Sequence, residues 1–192
     1  MKASACIRKN CDNCDIKGRF ICYADTADLV DFGILFINWF IPFMAGIIVG
    51  RFWWGLFGWL LLCVIFFGYV EAFLLCRHCP AYAEKGKTLR CHANWGLPKF
   101  PKIDKRPMNL WEKIVWIVYV FVLFLYPLPF FFSKGLWLMG LWSLWTFFMA
   151  AWIISRTQCT RCFMLSCPLN RTTEELKESF YDNFPDYRPD DK

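Results

Sequence analysis

Histidine is scarce in this chain, and charge is missing over long runs. Only His78 and His92 occur, and neither falls in an apolar stretch, so a haem held between two histidines inside a bilayer is excluded. There is no glycine-rich phosphate loop, no G-x-S-x-G elbow and no H-E-x-x-H helix, which argues against an ordinary ATPase or hydrolase site. No charged residue occurs in 32–50, 114–132 or 135–155, and Glu71 is the only one in 52–76. Each run is close to the roughly 20 residues that a helix needs to cross hydrocarbon. One such run suits the core of a soluble protein. Four do not, because 192 residues leave too little polar sequence to cover them.

The fold expected is therefore an all-α integral membrane protein with four transmembrane helices. Gly50-Arg51 is nearly all that separates the first two runs, and Ser133-Lys134-Gly135 separates the last two. Such short connections imply two antiparallel hairpins, 32–76 and 114–155. The segments 1–31, 77–113 and 156–192 then lie on one side. Lys and Arg number five, nine and six in those segments, against Arg51 and Lys134 opposite. By the positive-inside rule all three face the cytoplasm. The expected location is the cell (inner) membrane, multi-pass, with both termini cytoplasmic and no cleavable signal. The net charge of +6 reflects this bias and gives no sign of nucleic acid.

What the chain has in quantity is cysteine, eleven residues. Ten lie in or at the edge of the three polar segments, with Cys76 ending the second apolar run: Cys6, Cys11, Cys14 and Cys22; Cys76, Cys79 and Cys91; Cys159, Cys162 and Cys167. Each group contains one Cys-x2-Cys pair, which points two sulfurs at one place. Cytosolic thiols stay reduced, so metal binding or transient redox chemistry outweighs structural disulfides. With His78 and His92 there are twelve candidate metal ligands, enough for three four-ligand sites.

The pairs at 76/79 and 159/162 sit at helix C-termini, where the helix dipole disfavours a bare thiolate. They lack the helix N-terminus that lowers thiol pKa in many redox enzymes. A metal would supply positive charge, aided by Arg77, Arg156 and Arg161. Iron–sulfur is favoured over Zn2+, since zinc sites usually show two short ligand pairs. The function expected is electron transfer at the cytoplasmic face, with a larger redox or membrane-complex partner or a membrane quinone. The alternatives are a non-catalytic subunit or metal-handling scaffold folded by structural zinc, and a thiol–disulfide oxidoreductase.

Other features carry smaller expectations. Glu71 reads as a neutral or hydrogen-bonded carboxyl near a helix end, with a proton relay as the sharper alternative. Cys63 reads as a packing residue. Trp53, Trp54, Trp111 and Trp137 suit interfacial belts, while Trp142, Trp145 and Trp152 are expected to pack against neighbours. Gly46-x3-Gly50 permits close helix approach. Pro127 and Pro129 should interrupt the third span, and Asn38 with Pro42 should disturb the first. The basic, aromatic, proline-rich stretch 95–107 suits a headgroup layer. Thr172-x2-Glu175 reads as a capping box, followed by an amphipathic helix through Leu176, Phe180, Tyr181 and Phe184.

Overall fold

The computed structural model describes residues 3–23, 25–91 and 93–189. His92 lies outside the described residues. Helix is the only regular structure among them, and four helical runs are long and apolar enough to cross a membrane.

Helix α1 spans Thr26–Gly50 and starts before the apolar run because Asp25 caps it. The Asp25 carboxylate accepts from the Ala27 and Asp28 N–H groups at 2.9 and 3.0 Å, and Asp28 accepts from the Asp25 N–H at 3.2 Å. This reciprocal box satisfies donors that a helix start otherwise leaves open. The helix continues unbroken through Asn38 and Pro42, contrary to expectation. It ends at Arg51, which takes the left-handed conformation, φ 55°.

The second run covers Trp53–His78. It consists of α2 (Trp53–Ile65), a π turn (Phe66–Val70), α3 (Glu71–Leu74) and a 3-10 turn (Cys76–His78). His78 thus closes the second run rather than lying clear of it. The π turn inserts a residue into the helical ladder, so it re-aims everything that follows, beginning with Glu71.

The third run comprises α4 (Leu110–Leu125) and α5 (Leu128–Ser133). The break falls at Tyr126-Pro127, because proline has no N–H to continue the ladder. Asn109 and Glu112 form a second capping box at its start. The fourth run is α6 (Trp137–Thr157).

Aromatic rings hold the four runs together. Trp39 of α1 stacks on Phe43, ring centroids 5.2 Å apart, and meets Phe124 of α4 edge-on at 4.9 Å. Phe124 continues to Phe147 of α6 at 5.4 Å. Trp59 of α2 lies 4.8 Å from Phe43 and donates its indole N–H to the Leu123 carbonyl at 3.1 Å. Gly46 makes room for Phe131 of α5, which is fully buried. Large apolar side chains cover the outside, Trp54 at 87% exposure among them. Trp142, Trp145 and Trp152 are also exposed, and so face outward rather than packing inward as expected.

At one end the three polar segments meet. Ile7 N–H donates to the Asn183 carbonyl at 3.0 Å and Ile21 N–H to the Arg161 carbonyl at 2.8 Å, joining the N-terminal segment to the tail. Ser4 N–H donates to Glu84, joining it to the central loop. Helix α7 (Glu174–Asn183) starts from Thr173 with no side-chain cap. The box expected at Thr172 and Glu175 does not form, because Thr172 is buried and its hydroxyl turns to the Cys162 carbonyl at 3.5 Å. The apolar face of α7 lies on the cysteine-bearing segments. Phe180 meets Phe20 at 5.5 Å and Phe163 at 6.4 Å.

Candidate functional site

All eleven cysteines are free thiols, and the ten other than Cys63 fall into two neighbourhoods. The first is local. A tight turn over 14–20 is set by Gly18 at φ +77° and by the N–H of Lys17 donating to the Cys14 carbonyl. Ile16 and Phe20 are buried and anchor this turn. Cys22 is pushed up to about 11 by burial and then by the charges of Cys14, Cys6 and Cys11. Cys14, Cys6 and Cys11 are therefore each within electrostatic reach of Cys22. Asn183, with no exposed surface, pins the group from the tail. Its side-chain carbonyl accepts from Arg8 at 2.5 Å and from the Cys14 thiol at 3.9 Å.

The second neighbourhood joins two segments. Cys76 and Cys79 are buried on the turns that close the second run. The chain returns through a narrow ribbon, in which Leu89 N–H donates to the Leu97 carbonyl at 2.8 Å and Gly96 N–H to the Leu89 carbonyl at 3.0 Å. That ribbon brings Cys91 and Asn94 back over Cys76. The Asn94 amide donates to the Cys76 sulfur at 3.4 Å.

The tail supplies Cys159, Cys162 and Cys167, organised by Asn170, whose amide donates to the Cys162 carbonyl at 2.8 Å. Burial raises Cys79, and the charges of Cys91 and Cys167 raise it further. Burial raises Cys162 strongly, with added effects from Cys79, Cys91 and Cys167. Cys167 is pushed up to about 12 by burial, with Cys159 and Glu71 adding to it. Cys91 is raised by burial against the pull of the Ala93 and Asn94 N–H groups. Cys159 is raised by burial and eased by Arg171.

Glu71 belongs to this neighbourhood. It is buried, shares a hydrogen bond with Asn94, and keeps one carboxylate oxygen, Oε2, without a partner among the described residues. Glu71 stood out in the sequence as a carboxyl near a helix end, but its place beside the thiols did not, and Asn94 was not readable as a site residue. Asn94 is an ordinary loop residue until the 87–99 ribbon folds back.

His78 goes elsewhere. Its Nδ1 faces the Asp104 carbonyl at 3.1 Å, and its Nε2 accepts from Arg77 at 3.1 Å. Arg77 and Arg106 both donate to Glu112, at 2.8 Å and at 2.8 and 2.6 Å. Both imidazole nitrogens thus have partners in an ion cage, although His78 was expected among the metal ligands. The guanidinium contributions also differ from expectation. Arg77 serves the cage, Arg156 lies over the Trp152 ring at 4.7 Å, and Arg171, which was not expected, eases Cys159.

Among the described residues, no three His, Cys, Asp or Glu side chains stand grouped to hold a single metal ion. The thiols share two electrostatic neighbourhoods rather than a closed ligand shell. No family model, curated protein or solved structure matches the chain.

Proposed function

We propose that this protein is a membrane-anchored thiolate metal protein, with iron–sulfur favoured over zinc, that transfers electrons at the cytoplasmic face. In this reading the spans form two antiparallel hairpins, and the excess of Lys and Arg fixes the cysteine end inside. One centre draws on Cys6, Cys11, Cys14 and Cys22. The other draws on Cys76, Cys79, Cys91, Cys159, Cys162 and Cys167, so loop and tail contribute jointly.

The observation that carries the reading is that loop and tail thiols, Cys76 and Cys79 buried and Cys91, Cys159, Cys162 and Cys167 half-buried, come within electrostatic reach of one another, and the shifts of Cys79, Cys91, Cys159, Cys162 and Cys167 all run upward. Thiol exchange needs an activated thiolate, and burial works against one. A metal removes that cost by replacing the proton with positive charge. The donor set is sulfur-rich, which suits zinc or iron–sulfur rather than a hard cation. A single zinc ion needs its four sulfurs at about 2.3 Å from one point. A cluster is itself several ångström across and accepts thiolates farther apart, which favours it for this looser grouping.

Protein purified without oxygen should be brown and contain iron and acid-labile sulfide. A colourless preparation with stoichiometric zinc sinks the electron-transfer reading and leaves the structural-zinc scaffold.

A further inference from the structure

A cavity of about 300 Å³ opens between the first turns of α1 and the end of α6. That volume lies at the lower end of small-molecule sites. Its two ends differ in chemistry. Asp28, Asp31, Gln158 and Arg161 line the polar end, and Ile34, Leu35 and Ile153 the apolar end. Asp28 and Ile34 are six residues apart, about 9 Å along a helix at 1.5 Å per residue. The cavity therefore runs from the polar face down into the apolar span. Ile34 and Ile153 are themselves 52% and 36% exposed on the outer surface, so the lower end meets lipid.

The polar end touches the cysteine segments. Ile21, another wall residue, precedes Cys22; Gln158 precedes Cys159; and Arg161 precedes Cys162. Asp28 lies within electrostatic reach of Cys91. Ile21 and Arg161 are also tied through the backbone at 2.8 Å. The cavity is thus walled by residues next to both thiol neighbourhoods. Gln158 is more than nine-tenths buried, and its Oε1 has no hydrogen-bond partner among the described residues.

We infer that this cavity binds the ring of a lipid-soluble quinone, with the tail leaving between Ile34 and Ile153 into the bilayer. A quinone ring is uncharged and carries acceptor oxygens, which suit the Arg161 guanidinium. A quinol hydroxyl can donate to the exposed Asp31 carboxylate, which lines the same end. An anionic phosphate fits worse, because it meets two carboxylates for one guanidinium. The site deepens the electron-transfer reading and rests on that reading for its electrons. Quinone plus two electrons and two protons gives quinol. Iron–sulfur clusters, if held by the neighbouring thiols, would supply these electrons one at a time, and a soluble one-electron carrier at the same face would refill them. The protons come from water by way of the exposed Asp31.

The test uses the full-length protein, a photoreactive azido-benzoquinone with a short alkyl tail, and peptide mapping by mass spectrometry. Label should fall in 21–35 and 153–161. Ile153→Trp fills the apolar end and should cut labelling at least tenfold, while Leu141→Trp, at an outward position of the same helix, should not. Arg161→Ala, at an exposed position, guards against misfolding of the first variant and should cut labelling about tenfold. Iron and sulfide are measured in every sample. Label at the site in a protein holding only zinc supports the cavity and removes the electron source. Label spread evenly over the outer surface, or unchanged in both site variants, overturns the inference. So does a retained ethanolamine phospholipid that the quinone fails to displace.

Discussion

Burial raises Cys22 to about 11 and Cys167 to about 12, against 9.0 for an ordinary thiol. In the metal-free protein both hold their protons at neutral pH. The folded state binds these protons more tightly than the unfolded chain does. The stabilisation is therefore complete below the unfolded thiol value, about 9, and is lost as pH climbs through about 11 to 12. Iodoacetamide should alkylate Cys22 and Cys167 of metal-free, folded protein slowly at about pH 8 and fast only above about pH 10. Labelling at neutral pH as fast as free cysteine would mean an activated thiolate and would favour thiol exchange. The cage makes a second prediction at this scale. Glu112 is buried and takes charged hydrogen bonds from Arg77 and Arg106. Glu112→Gln should lower stability by about 2 kcal/mol, the range for hydrogen bonds to charged groups, in a denaturant titration; an unchanged midpoint refutes the cage as a stabilising element. Cys-x2-Cys spacing made the thiols legible in the sequence. The ion cage around His78 was not legible, because spacing names neighbours in the chain, whereas Asp104 and Glu112, which engage it, lie 26 and 34 positions away.

The apolar runs were the most legible elements, since hydrocarbon tolerates little else. Their ends were less so, because caps rather than hydropathy decide them. Asp25 starts α1 six residues ahead of its uncharged run, and Asn109 does the same for α4 four residues ahead. The π turn at Phe66–Val70 left no mark in composition, yet it sets the direction of Glu71 and Cys76. Gly46 was readable as a close-approach residue, but its partner proved to be a ring. A Cβ there would stand 2.3 Å from the Phe131 ring. Phe131 is fully buried and has nowhere to move. Gly46→Ala should cost about 1–3 kcal/mol through overpacking, read as a lower unfolding temperature in detergent. Gly68→Ala, where a Cβ meets nothing within 4 Å, is the control. Equal stability of the two variants would show that α1 and α5 pack otherwise.

On the scale of the whole molecule, the sequence allowed three metal sites, and the structure groups the thiols into two neighbourhoods because loop and tail fold over one another. Under the proposed iron–sulfur reading, Cys76→Ser and Cys162→Ser should each deplete one shared centre, with matching loss of iron and sulfide, while Cys14→Ser depletes the other and adds to either. Additive losses for Cys76→Ser and Cys162→Ser together would separate loop from tail. All of this depends on which side of the membrane holds the cysteines. Ile7, Ile21 and Ser4 bond to the tail and loop, which holds the three segments at one end but does not choose a compartment. The proposed orientation rests on charge: twenty of the 22 Lys and Arg residues lie in those segments and two, Arg51 and Lys134, lie in the short connections between apolar runs, the bias that the positive-inside rule associates with the cytoplasm. A reporter active only in the cytoplasm should work when fused after Lys192, and one active only outside should work when inserted at Lys134. The reverse pair of results would put ten thiols on an oxidising face. Neighbouring cysteines there would close into disulfides, the iron–sulfur centres would lose their ligands, and the quinone cavity would open on the wrong side for a soluble cytoplasmic donor.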